Sequence, residues 1–186
     1  TLDDLITLKK ADLLARHAWD DQGYLDLFAD VERSADAIGA FAGASEARGF
    51  TAFTERAAKT YELLEDSFIR AAAPSPTGLA ASAGIRGLTD LWLMSPFATM
   101  GDKLRSYFQD PRLQQLFGRY ATYCGSSPFQ APATLTLIAH VEQAGVWLVE
   151  GGMHRLAVAL NGLAVRLGVV VRYDSPVSEI RMTRSQ

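Results

Sequence analysis

Residues 146–182, VWLVEGGMHRLAVALNGLAVRLGVVVRYDSPVSEIRM, restrict the possible folds more than any other stretch of the chain. Val146–Val149 reads as a short apolar strand and Gly151-Gly152 as a turn. The stretch 153–167 follows with Leu156, Leu160, Leu163 and Leu167 on one helical face, closed by Gly168. Val169–Arg172 and Val177–Met182 read as strands around a DSP turn. A strand–helix–strand unit leaves its backbone groups unsatisfied until other strands pair with it. The segment therefore predicts a sheet whose remaining strands lie elsewhere.

The preceding residues supply few of them. LLARHAWDDQGYLDLF (13–28) reads as a β-hairpin, two apolar stretches flanking a DDQG turn. After it the pattern is helical. Asp30 caps a helix running to about Phe41, which Gly43 ends. Ser45 is the expected N-cap of the next helix, whose apolar stripe is Ala47, Phe50, Phe53, Ala57, Tyr61, Leu64 and Phe68. AAAPSPTGLAASAG (71–84) is a loop or lid. LTDLWLM (88–94) is a short apolar helix interrupted at Ser95-Pro96, and another helix covers about 97–108. Asp110-Pro111 starts a helix running to Gly125. SSPFQAP is a break before a helix at about 132–143. The expected fold class is α+β and mostly helical, a helical insertion carried by a sheet-based domain.

Composition bounds the function. With 48% hydrophobic and 21% charged residues the chain is globular. Its net charge of −3 provides no basic field for nucleic acid. Cys124, the one cysteine, cannot form an intrachain disulfide and reads as a buried structural thiol. No apolar run approaches the roughly 20 residues of a spanning helix. TLDDLITLKK has no signal-peptide core and no starting Met, so both ends read as cut from something longer.

Glycine-rich dinucleotide turns, Walker A sequences and G-x-S-x-G elbows are absent from the sequence. His17, His140 and His154 lack metal-ligand spacing, so no metal site is expected. Gly151-Gly152 admits two readings: close approach of a phosphate or flavin to helix N–H groups, or, the favoured one, a tight strand-to-helix turn. Trp92, Phe97, Met100, Tyr107 and Phe108 suit either a lipid-sized cavity or ordinary core, with core the default. Residues 88–100 are apolar on nearly every side. They read as core or as a mouth at a membrane surface, where Arg86, Lys103 and Arg105 would meet headgroups.

One long ordered pattern is more specific. RLQQLFGRYATYCGSSPFQAPATLTLIAHVEQAGVWLVEGGMHRLAVAL (112–160) resembles the carotenoid desaturases of the phytoene-desaturase type. The features shared are L-F-x-R-Y-A-T-Y-x-G-x-x-P-F-x-A-P, a helix, V-W, G-G-M and a leucine-rich helix. RHAWDDQGYLDLFAD is most similar to the branch that introduces the 3,4 double bond into hydroxy- or methoxy-neurosporene-type carotenoids. The resemblance implies an FAD-dependent oxidoreductase with an amine-oxidase-like fold, of which this chain is the central fragment. It implies a helical substrate domain over 1–145 and a partial FAD-binding domain over 146–186. The missing N- and C-terminal segments of the flavin domain then become the chain's own partners, and the flavin carries the chemistry, so no catalytic side chain is named. In the V-x-x-I pattern Val177 would meet the adenine of FAD through its backbone, with Ile180 completing the pattern. Trp92, Phe97, Met100, Tyr123 and Phe129 would line the path of a carotenoid polyene. The protein would be cytoplasmic, at the inner face of a membrane. Two alternatives stay open: another flavoprotein of this group, such as a carotenoid isomerase or porphyrinogen oxidase, and a non-enzymatic lipid-binding or interaction module.

Overall fold

The structure, a computed structural model, describes residues 4–20, 23–72 and 98–182. In chain order the elements are β1 Leu8–Lys10, β2 Leu13–Ala18, β3 Tyr24–Phe28, α1 Val31–Ala42, α2 Ala44–Leu64, α3 Met100–Tyr107, α4 Pro111–Gly118, α5 Ile138–Ala144, β4 Trp147–Val149 and α6 His154–Arg166. Helix predominates and strand is short, a mixed α and β chain. Contacts divide it into two compact units, one of Ala11–Val146 and one of Thr1–Lys10 with Trp147–Gln186.

In the larger unit β2 and β3 form the antiparallel hairpin expected from DDQG, with Arg16 opposite Asp26. That pair is bidentate, both N···O distances being 2.7 Å. Asp30 caps α1 by accepting from the Arg33 N–H. Ser34, buried on α1, both accepts from the Phe28 N–H at 2.8 Å and donates to the Phe28 carbonyl at 3.0 Å. It thereby fastens the hairpin's free edge to the first helix.

Gly43, not Ser45, is the N-cap of α2. At φ +102° it closes α1 and opens α2 at once, so the helices follow without a linker and Ser45 falls inside the first turn. The α2 stripe buries Phe50, Phe53, Ala57 and Leu64. Beyond Leu64 the backbone widens into a π-turn over Glu65–Ile69, which rotates the stripe and leaves Phe68 51% exposed. Four aromatic rings join α2 to α3 and α4: Phe117 lies 5.0 Å from both Phe53 and Phe108 and 5.7 Å from Phe50. Glu46, also buried, accepts the Gln109 N–H on both oxygens and so satisfies the backbone between α3 and α4.

Asp110 and Pro111 start α4 as the sequence requires. The α-helix is shorter than expected, because Arg119–Cys124 tighten into a 3-10 helix that ends at left-handed Gly125, and Cys124 at its end is exposed rather than buried. The expected helix at 132–143 likewise begins as a 3-10 turn over Ala133–Leu137 before α5.

In the smaller unit β1 pairs antiparallel with β4, Leu8 opposite Val149. Gly151 and Gly152 have φ +80° and +88°, a turn that residues with a Cβ resist. The strands expected at 169–172 and 177–182 are not formed: a strand is defined by its ladder, and no described residue pairs with either stretch. The leucine face of α6 is only partly covered: Leu156 and Leu163 are half-buried, and Leu160 and Leu167 are exposed. Trp92, Phe97, the proline break and most of the 71–84 loop lie outside the described residues.

Candidate functional site

The larger unit carries an apolar groove of about 380 Å³ between α3, α4 and the 126–131 loop. Two caps set its walls. Thr99 and Asp102 form a reciprocal capping box at the start of α3, and Asp110 accepts from the Arg112 N–H at the start of α4. The loop is tied to α3 by the Met100 and Gly101 N–H groups, which donate to the carbonyls of Ala131 and Pro128 at 2.8 Å. A Cβ on Gly101 would stand 3.2 Å from the Pro128 oxygen, so glycine lets the loop come this close. Leu104, Gly118, Pro128 and Phe129 give the groove its apolar surface.

A second cavity, about 250 Å³, lies between the end of β2 and α4. His17, Trp19, Leu116, Gln115 and Arg119 line it, and the last two also border the groove. Trp19 donates its indole N–H to Gln115 Oε1 at 2.8 Å. The indole is donor-only, so this bond fixes the amide's orientation and turns its NH2 outward from that contact. Arg119 donates through Nη2 to both oxygens of Glu142, at 2.7 and 2.8 Å, and the buried Tyr120 hydroxyl donates to Glu142 at 2.8 Å. Burial, then the Glu142 charge, push the Tyr120 phenol upward, so it stays neutral and donates. The cavity's charges are therefore matched. His17 borders this cavity, but its Nε2 is buried away from it and has no hydrogen-bond partner among the described residues. Burial first, then the nearby Arg119 guanidinium, hold this imidazole below its ordinary value, and the ring is neutral at pH 7.

The residues singled out from sequence fall in different places. Phe129 is 69% exposed and borders the groove. Met100 is wholly enclosed in the core, whereas Tyr123 is 68% exposed and borders neither cavity. Val177 is 77% exposed, and no backbone hydrogen bond from a described residue reaches it. Gly152 already donates its N–H to Val149 at 2.9 Å inside the turn. Among the described residues no three His, Cys, Asp or Glu side chains gather as a metal site, and no helix is long and apolar enough to cross a membrane.

Sequence reasoning weighed His17 only as a metal ligand and passed over Gln115 and Glu142. Arg119 and Tyr120 lie inside the quoted R-Y-A-T-Y run. Their partner Glu142 lies more than twenty residues on, and no local spacing announces it.

No family model matches the chain. Individual relatives do. It is 47% identical over 183 residues to a hydroxyneurosporene desaturase of Rubrivivax gelatinosus, covering 97% of this chain and 34% of the relative. A hydroxyneurosporene desaturase of Cereibacter sphaeroides is 46% identical over 179 residues, 96% of this chain and 36% of the relative. A 1-hydroxycarotenoid 3,4-desaturase of a Flavobacterium is 38% identical over 86 residues, 46% of this chain and 18% of the relative. The chain spans about a third of the length of the first two. Along nearly its whole length the chain is similar in sequence to a part of these carotenoid desaturases.

Proposed function

We propose that the chain is part of an FAD-dependent carotenoid desaturase with an amine-oxidase-like fold, acting on a hydroxylated, neurosporene-like polyene. The observation that carries this reading is identity of 46–47% to two hydroxyneurosporene desaturases over almost the entire chain. The apolar groove with Phe129 at its border supports it, since a polyene needs a long apolar wall and little else. In this reading the helical substrate domain, 1–145 from sequence, is chiefly the unit Ala11–Val146. The partial FAD-binding domain, 146–186 from sequence, gains β1 as the partner of β4. The uncovered Val158, Leu160, Val165 and Leu167 are then packed by the segments of the flavin domain outside this chain.

FAD, when bound, takes up the two hydrogens removed from the polyene. Val177 contributes backbone to its adenine side; the substrate unit orients the chain and excludes water. The polyene reaches the groove from a membrane surface, with the protein at its cytoplasmic face.

The test is expression of the whole coding sequence with hydroxyneurosporene. Conjugation should lengthen by one double bond, seen as a red-shifted absorption of the extracted carotenoid. An unchanged spectrum from a folded, flavin-loaded protein would refute the desaturase reading. In the same protein Val177→Ala keeps the backbone donor and should retain flavin, whereas Val177→Pro removes it and should lose most. Equal flavin content in both would remove Val177 from the cofactor site.

A further inference from the structure

Gly118, the last residue of α4, is buried and lines the apolar groove, and nothing in its own backbone calls for glycine. Its φ of −61° and ψ of −22° are right-handed helical, open to any residue with a Cβ. Helix propensity disfavours glycine against alanine there. A Cβ would not clash either. It would stand 3.4 and 3.5 Å from Pro128 Cγ and Cβ and 3.9 Å from Leu104 Cδ1, ordinary contact distances. Gly101, the other glycine of the groove, differs. Its Cβ would press on the Pro128 carbonyl oxygen at 3.2 Å, so close approach of the loop accounts for it. At Gly118 the missing Cβ leaves room instead. That room is bounded by Leu104 of α3 and Pro128 of the loop, and both side chains line the groove.

We propose that Gly118 sets the gauge of the groove: its missing Cβ makes room for the methyl branches of an isoprenoid chain, where alanine would admit only a straight one. This rests on the groove's being the polyene site, and it adds which kind of hydrocarbon the groove selects. A straight chain is no broader than its methylenes, whereas an isoprenoid chain carries methyl groups at regular intervals. A methyl group on residue 118 would take up that breadth, because the wall opposite cannot retreat. The Pro128 carbonyl is held by the Gly101 N–H at 2.8 Å, and the Ala131 carbonyl by the Met100 N–H at 2.8 Å. An apolar pocket that loses the space of one methyl group discriminates by about tenfold or more.

Hexahydrofarnesol and dodecanol provide the test, having the same main chain with and without methyl branches. Each is titrated against diphenylhexatriene, a fluorescent linear polyene, bound to the chain. Gly118→Ala should weaken hexahydrofarnesol about tenfold and leave dodecanol within about twofold of its original affinity. Its melting temperature should equal or exceed that of the unaltered chain, since alanine favours the helix. A merely structural effect would weaken both alcohols together. In the unaltered chain the branch methyls of bound hexahydrofarnesol should give nuclear Overhauser contacts to the Gly118 α-protons; this arm holds even where the variant fails to fold. Equal weakening of the two alcohols, or none, overturns the gauge and leaves the groove reading standing, as does the absence of contacts to Gly118. Failure of the unaltered chain to bind either alcohol, or binding that Phe129→Ala leaves unchanged, overturns the groove reading and the gauge with it.

Discussion

At the scale of single residues, His17 joins sequence, burial and titration. It sits on β2, where strand geometry turns alternate side chains to one face, and so it reaches the cavity beside Trp19. Burial holds the folded imidazole below its ordinary value of 6.5, Arg119 pushes the same way and Glu142 opposes. Between the folded and unfolded values the unfolded chain carries more protons. Stability is thus fully present above about pH 6.5 and is lost as pH falls toward the folded value. Thermal unfolding should therefore show a midpoint that drops between pH 7.5 and 5 in the unaltered chain and drops less in His17→Gln. Asp102 and Asp110 do not interfere, because their lowered values act only below the ordinary carboxylate value of 3.8. Parallel curves for the two proteins would show that His17 is not desolvated. Nothing in the RHAW sequence foretold this, since burial of one ring nitrogen depends on α4 arriving from nearly a hundred residues away.

At the scale of elements, what was legible was local. The hairpin pairing on either side of DDQG, the Asp30 and Asp110 caps and the Gly43 stop each answer to a few residues, and each is found where expected. The end of α4, the cap of α2 and the π-turn after Leu64 were not, because they answer to packing and to neighbouring helices. Two glycines separate these influences. Both lie inside helices, where alanine is favoured by about 1 kcal/mol on propensity. A Cβ on Gly49 of α2 would come 2.1 Å from the Tyr107 carbonyl oxygen at the end of α3, a backbone atom that cannot swing aside. A Cβ on Gly162 of α6 would meet nothing within 4 Å. Gly49→Ala should therefore destabilise by about 1–3 kcal/mol, overpacking outweighing propensity. Gly162→Ala should stabilise α6 by up to about 1 kcal/mol. Denaturant unfolding followed by circular dichroism measures both, and a Gly49→Ala chain as stable as its parent would mean that α2 and α3 do not approach so closely.

At the scale of the whole molecule, the division into two units decides how firmly each part of the chain is held. The larger unit closes its own core around Phe53, Phe108 and Phe117. The smaller has a two-stranded sheet of three residues a side, one helix with an exposed apolar face, and the segment 169–182. The strand–helix–strand reading of 146–182 held for its first strand, turn and helix, each specified by its own residues. It failed for the last two strands, which depend on partners that no described residue supplies. Val170, Val177, Ile180 and Met182 are each at least 77% exposed, although their apolar alternation suits a sheet. Amide exchange should expose this contrast. In the isolated chain, amides of α2 and α4 should be protected by the cooperative core, and those of 170–182 should exchange almost as fast as an unfolded peptide. In the whole coding sequence, with the flavin domain proposed above supplying neighbouring strands, protection should appear at 170–172 and 177–182 and strengthen with FAD. If both stretches exchange freely in the full-length, flavin-loaded protein, they are not strands of that domain, and Val177 has no fixed backbone to offer the cofactor.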